Sequence, residues 1–149
     1  MSDLKTRLKE YEGTKEYQTK LKYFRNGKFY PYTDSLGFST VGYGHLIQRG
    51  EDFSTGITEN EADQLLSRDL AKVHVQVQTL GLTLPDDWND FLVIMVFQLG
   101  ITGTLKFKKM ICALQARNYS EAIKQAKDSL WYKQTPNRVD SMIAVLKNK

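Results

Sequence analysis

At Thr58-Glu-Asn-Glu61 the character of the chain changes, and no other feature restricts its fold as much. Thr58 with Glu61 three positions on forms a capping box, in which hydroxyl and carboxylate each satisfy a backbone amide left open at a helix start. Upstream, apolar residues come in short runs broken by Gly, Pro, Asn and Asp. Downstream, Leu65, Leu66, Leu70, Val73 and Val77 recur at helical spacing, which predicts a helix of roughly twenty residues ending by Gly81.

The upstream part reads as one helix followed by a β region. Asp3 is placed to cap a helix carrying Leu4, Leu8 and Tyr11, with Gly13 ending it. Glu12 then stands on the last turn, where the negative end of the helix dipole favours a carboxyl that keeps its proton. Lys22 to Arg25, Asn26-Gly27 and Lys28 to Tyr30 form a hairpin signal, because Asn-Gly supplies the positive φ angles of a type I′ turn. Pro31 predicts a bend in the second strand. Asp34-Ser-Leu-Gly37 reads as a further turn, and Phe38 to Val41 as a third strand. Gly42 and Gly44 mark a break or a close backbone approach.

Beyond the long helix, a turn at Pro85-Asp-Asp87 opens a helix with Trp88, Phe91, Leu92, Met95 and Leu99. It is apolar nearly all round, as a central buried helix must be, and Gly100 and Gly103 end it. Further helices are expected over Leu105 to Arg117, Ser120 to Leu130 and Pro136 to Lys147, the last with Thr135 as cap and Pro136 at the first helical position. The fold class is α+β: a small antiparallel β-sheet lobe joined by a long helix to a mainly helical lobe. The expected boundaries are a β lobe over about 14–57, a linking helix over about 59–79, and a helical lobe built from 1–13 and about 80–149. The 149 residues suit a single domain, or two small lobes sharing a core.

Composition narrows the partners. Twenty-one Lys and Arg against seventeen Asp and Glu make the chain mildly basic, but the cations are scattered, which argues against a nucleic-acid partner. One cysteine, Cys112, permits no internal disulfide. The polar N-terminus lacks the apolar stretch of a signal peptide, and the apolar run Phe91 to Phe97 is too short to span a bilayer.

Several side chains carry possible chemistry. Glu12 and Asp34 lie in different environments, a helix end and a sheet turn. A proton donor and a proton acceptor need such a difference, and glycoside cleavage needs both. Spacing alone equally allows two surface acids. The Thr40 hydroxyl is able to hold a water against Asp34, or simply sits in a strand as threonine favours. His45 has no His or Cys cluster around it, so an ion pair with an acid such as Asp69 is a better reading than a metal site. Trp131-Tyr132, Gln134 and Asn137-Arg138 combine ring faces with amide and guanidinium donors; core packing is the simpler role for Trp131. Gln98 interrupts an apolar run and needs a partner.

Three blocks in order resemble the phage-type lysozymes, the muramidases of tailed bacteriophages. They are Glu12-Gly13, Tyr32-Thr-Asp34 through Gly42-Tyr-Gly44-His45, and Met95-Val-Phe97-Gln98-Leu-Gly100 with Trp131-Tyr-Lys-Gln-Thr-Pro-Asn-Arg138. The resemblance implies a single lysozyme-like domain that cleaves the β-1,4 bond between N-acetylmuramic acid and N-acetylglucosamine in bacterial peptidoglycan. Glu12 would be the general acid, and Asp34, helped by Thr40, would activate water with inversion. His45 would pair with Asp69, Leu46 and Phe97 would line the saccharide cleft, and Arg138 would lie near Glu12. Gln98 and Trp131 would join cleft to bundle, and Met110 and Gln125 would occupy sugar-binding positions that are small and polar in the family. No metal or cofactor is implied, and a monomer is expected. The location implied is the host cytoplasm, with passage to the wall through a holin, or else the virion. The segment between Glu12 and Asp34 is longer than in well-known members and holds the Asn26-Gly27 hairpin. Two other readings compete: a lytic transglycosylase on the same substrate, and a non-catalytic wall-binding or tail module.

Overall fold

The computed structural model describes residues 2–34 and 36–149. They fall into two compact units, residues 1–71 and 72–149, with the division inside the long helix.

The first unit opens with α1, Ser2–Glu12. The cap expected from Asp3 lies outside the described side chains. Leu4 and Leu8 are buried. One turn apart on α1, Lys5 and Lys9 each reach Asp63 at 2.9 Å, which ties the helix to the first half of α3, Glu59–Gln78. Gly13, at φ +119°, ends α1 where the sequence placed the stop. A short helix, unexpected at the start of the β region, follows: α2, Lys15–Lys20. Thr14 caps it, accepting the Tyr17 amide at 3.1 Å.

Two three-stranded antiparallel sheets form where one was expected. The first joins β1 (Phe24–Arg25), β2 (Lys28–Phe29) and β6 (Ile57–Thr58); the second joins β3 (Tyr32–Thr33), β4 (Ser39–Val41) and β5 (His45–Leu46). The Asn26-Gly27 turn has both residues at positive φ, 53° and 76°, and pairs Phe24 with Phe29. Pro31 stands between β2 and β3. It has no amide to donate, so the ladder stops and the next strand belongs to another sheet. The strand at Ile57-Thr58 has no periodic signal of its own; the same Thr58 that pairs with Lys28 also starts α3. There the capping box is complete, with the Thr58 amide donating to Glu61 Oε1 at 2.8 Å and the Glu61 amide to Thr58 Oγ1 at 3.1 Å.

The second unit is helical: α4 Asp86–Leu105, α5 Lys108–Gln115, α6 Tyr119–Lys127, α7 Leu130–Gln134 and α8 Pro136–Ala144. Trp88 and every residue from Phe91 to Phe97 are buried, so packing in the core accounts for the apolar run in α4. The helix is long and apolar enough to cross a membrane on length and composition alone. Gly100, at φ 77° and ψ 164°, breaks α4, and a last turn carries on to Leu105, which therefore ends this element instead of opening the next. The expected helix over Ser120 to Leu130 is two elements. Asp128 closes α6, and the Ser129 hydroxyl accepts the Tyr132 amide at 3.1 Å to begin α7. Thr135 does precede Pro136, but it makes no side-chain cap; its hydroxyl donates to Trp131 O at 3.0 Å and closes α7.

Candidate active site

Glu12 is the last residue of α1, and its side chain lies against the Gly42-Tyr43-Gly44 turn between β4 and β5. A Cβ on Gly44 would stand 2.6 Å from Glu12 Cγ and 2.7 Å from Oε1. The second glycine of the Gly-x-Gly-His stretch is therefore the floor on which the carboxyl rests. Its φ of +84° is one that side chains rarely adopt.

Asp34 arrives at the same region from the sheet. Its Oδ1 accepts the amides of Leu36 at 2.9 Å and Phe38 at 2.8 Å. The Gly37 amide donates to Asp34 O at 3.0 Å, with Gly37 at φ +89° closing the turn. The side chain is thus held by the turn it builds. Among the described residues no donor engages Oδ2.

Tyr32 connects the two acids. Its hydroxyl donates to the backbone carbonyl of Glu12 at 3.2 Å, and its ring stacks on Tyr23 at 4.5 Å. Burial raises the pKa of this phenol well above its usual value, and the negative charges of Glu12 and Asp34 push it the same way. The hydroxyl thus ties the end of α1 to β3, the strand that runs into Asp34. Tyr32 lay inside the quoted motif, but nothing in an isolated tyrosine marks it as the meeting point.

Thr40 is fully buried in β4, opposite Tyr32 and Leu46, and its hydroxyl donates to Phe38 O at 2.9 Å. Leu46, in β5, is half-buried. His45 sits between two carboxylates: Nδ1 meets Asp69 Oδ2 at 2.8 Å, and Nε2 meets Glu51 Oε1 at 2.9 Å. Burial alone would lower its pKa, but the hydrogen bonds and charges of Asp69 and Glu51 outweigh that and raise it. Desolvation opposes ionisation of Glu51, yet the Gln48 amide and His45 overcome it and hold its pKa low. The Asp69 pairing agrees with the sequence reading; Glu51 was missed because it lies in an irregular loop with no periodicity to aim it.

The other site candidates belong to the second unit. Trp131 is buried, and its Nε1 donates to Gln98 Oε1 at 2.8 Å, which gives Gln98 the partner it needed. Phe97 is 8% exposed, and Arg138 is half-buried in the first turn of α8. Gln125 is half-buried and donates to Glu121 Oε2 at 2.6 Å. Met110 corrects an expectation. It is 0% exposed, packed inside with Ala113 and Leu114 of the same helix, so it presents no surface to a sugar. Among the described residues no group of three His, Cys, Asp or Glu side chains is arranged to hold a metal ion.

Comparison with known proteins identifies the family. Residues 22–145 match the family described as phage lysozyme, a stretch that includes Asp34, Thr40 and His45 but begins after Glu12. The chain is 28% identical over 153 residues to probable T4-type lysozyme 1 of Dictyostelium discoideum, covering 85% of this chain and 90% of that protein. It is 30% identical over 141 residues to the pre-baseplate central spike protein Gp5 of Enterobacteria phage T4, covering 77% of this chain but 24% of Gp5. It is 29% identical over 120 residues to peptidoglycan hydrolase gp36 of Pseudomonas phage phiKMV, covering 75% of this chain and 13% of gp36. With an α+β fold, a family match over most of its length and relatives named as lysozymes and a peptidoglycan hydrolase, the chain belongs to the phage lysozyme family and is a glycoside hydrolase.

Proposed function

We propose that the chain is a muramidase, hydrolysing the β-1,4 bond between N-acetylmuramic acid and N-acetylglucosamine in bacterial peptidoglycan. The observation that supports this most is the bond from the Tyr32 hydroxyl to the Glu12 carbonyl, which holds the strand leading into Asp34 against the end of α1. Glycoside hydrolysis by inversion needs one acid to protonate the leaving oxygen and one carboxylate to activate water on the other face of the sugar.

Glu12 is the general acid, resting on Gly44. Asp34 is the base. Its Oδ1 is occupied by two turn amides, so Oδ2 takes the proton from water. The Thr40 hydroxyl directs its hydrogen to Phe38 O, so its oxygen accepts a hydrogen bond from that water, whose own lone pair attacks the anomeric carbon. The proton lost by water goes to Asp34; the proton given by Glu12 goes to the departing sugar oxygen. His45 holds Asp69 and Glu51 together as a structural cation. Leu46 lines the saccharide path within the first unit. The protein works as a monomer. Two routes to the wall fit the family, release from the host cytoplasm through a holin and, as the alternative, carriage on the virion, where the Gp5 relative is a spike protein by name.

The test is the product. Purified walls should yield reducing N-acetylmuramic acid ends, first formed with inverted anomeric configuration by NMR. An anhydro sugar, lighter by one water, would assign the chain to lytic transglycosylation. Wall binding without any product would make it a non-catalytic module.

A further inference from the structure

Gln18 is a fully buried polar side chain with no part in the reaction above. It is 1% exposed and is the residue that α2 buries. Its amide nitrogen donates to two backbone carbonyls, Gly13 O at 2.8 Å and Gly42 O at 2.9 Å. Both protons are used, and the orientation is chemically determined: a flipped amide would set its oxygen against two carbonyl oxygens. Meanwhile Gln18 Oε1 is buried without a hydrogen bond among the described residues. A buried acceptor left unpaired costs stability, so the two donated bonds must justify the residue.

The neighbours of those two carbonyls show what the bonds achieve. Gly13 directly follows Glu12. Gly42 opens the turn that ends in Gly44, the floor of the Glu12 carboxyl. The helix end and the turn are thus joined twice, once by the Glu12 side chain on Gly44 and once by the Gln18 amide between Gly13 and Gly42. Two carbonyls repel each other when no donor stands between them. The short helix α2 delivers that donor: Thr14 caps it, and the backbone of Gln18 is bonded on both sides, to Thr14 O at 2.9 Å and from the Tyr23 amide at 2.8 Å.

We propose that Gln18 is a positioning residue that fixes the Glu12 carboxyl against the Gly44 turn. It touches no substrate and acts through Gly13 and Gly42. The role rests on Glu12 being the acid, as argued above.

Two measurements test it. In the unmodified protein, the Gln18 side-chain amide protons should exchange with solvent on the order of 10²-fold more slowly than those of exposed Gln134. Exchange at the rate of Gln134 would overturn the bridge. Gln18→Leu and Gln18→Glu should then be assayed on soluble peptidoglycan fragments, well below their melting temperatures. The expected result is kcat lower by about 10-fold or more with KM within about 3-fold, because the acid is misplaced while sugar contacts survive. A residue that merely stabilised the fold would lower Tm and leave kcat per folded molecule unchanged, and that outcome overturns the proposal. If neither variant folds, the exchange measurement decides. Normal kcat in the Gln18 variants beside an inactive Glu12→Gln sinks the positioning role alone. Full activity in Glu12→Gln sinks the acid assignment itself.

Discussion

Replacing Gly44 with alanine should damage both stability and catalysis, for separable reasons. Gly44 sits at φ +84°, where a Cβ costs about 1–2 kcal/mol on backbone grounds alone. That Cβ would also lie 2.6 Å from Glu12 Cγ, and relief requires the carboxyl to move. Overpacking of this kind adds about 1–3 kcal/mol. The sum is about 2–5 kcal/mol, or roughly 5–15 °C in Tm for a chain of this size. Moving a catalytic group by about an ångström costs on the order of 10²-fold in rate. Gly50 supplies the control. Its φ is +91°, but a Cβ there would meet nothing within 4 Å, so Gly50→Ala should show the backbone cost and keep wild-type turnover. Thermal melts followed by circular dichroism, with turbidity loss of purified walls, read both quantities. A double variant completes the cycle: in Glu12→Ala the space is free, so adding Gly44→Ala should cost about 1–3 kcal/mol less than it does in wild type. If Gly44→Ala and Gly50→Ala prove equal in Tm and in turnover, Glu12 does not rest on Gly44 and this description of the site is wrong.

Two further outcomes follow from the side-chain chemistry. The His45 pKa is raised in the folded state, so its stabilising contribution is complete below its ordinary value near 6.5 and is lost as pH climbs through the raised value. Glu51, whose pKa is lowered, contributes above its ordinary value and loses that contribution as pH falls through the lowered one. A Tm-against-pH curve for wild type should therefore fall on the alkaline side relative to His45→Gln, and parallel curves would show that the carboxylate pairing carries no linkage. Trp131→Phe should cost about 1–3 kcal/mol by leaving Gln98 Oε1 without its donor, toward the lower end because Gln98 is only half-buried. Adding Gln98→Leu should recover part of that loss in urea unfolding; no recovery would mean the cost lies in ring packing instead.

The features legible in the sequence are those with a local physical cause. The Thr58 capping box, the Asn26-Gly27 turn and the unbroken apolar run of α4 each depend on residues close in the chain, and each formed as read. The Glu12 stop at Gly13 and the Asp34 turn are local too. What escaped was set by distant partners. The strand at Ile57-Thr58 exists because Lys28 and Phe29 pair with it. The second sheet exists because Pro31 interrupts the first. Helix α2 is short and mostly polar, so periodicity gave it no weight; the signal was Thr14 as cap. In the site, the resemblance to a family motif marked Glu12, Asp34, Thr40 and His45, where spacing alone left surface acids equally open, whereas Tyr32, Glu51 and Gln18 matter only through tertiary contacts. Met110 went wrong because correspondence with a family position says nothing about which way a helix turns that residue, and α5 turns it inward.

The most direct test of the central claim is the initial rate of wall cleavage by Glu12→Gln, which keeps the shape of the side chain and removes its transferable proton. General acid catalysis contributes about 10²–10⁴-fold, so the variant should fall by at least that range while its Tm stays close to wild type. Cleavage at the wild-type rate by a folded Glu12→Gln would contradict the assignment of Glu12 as the proton donor.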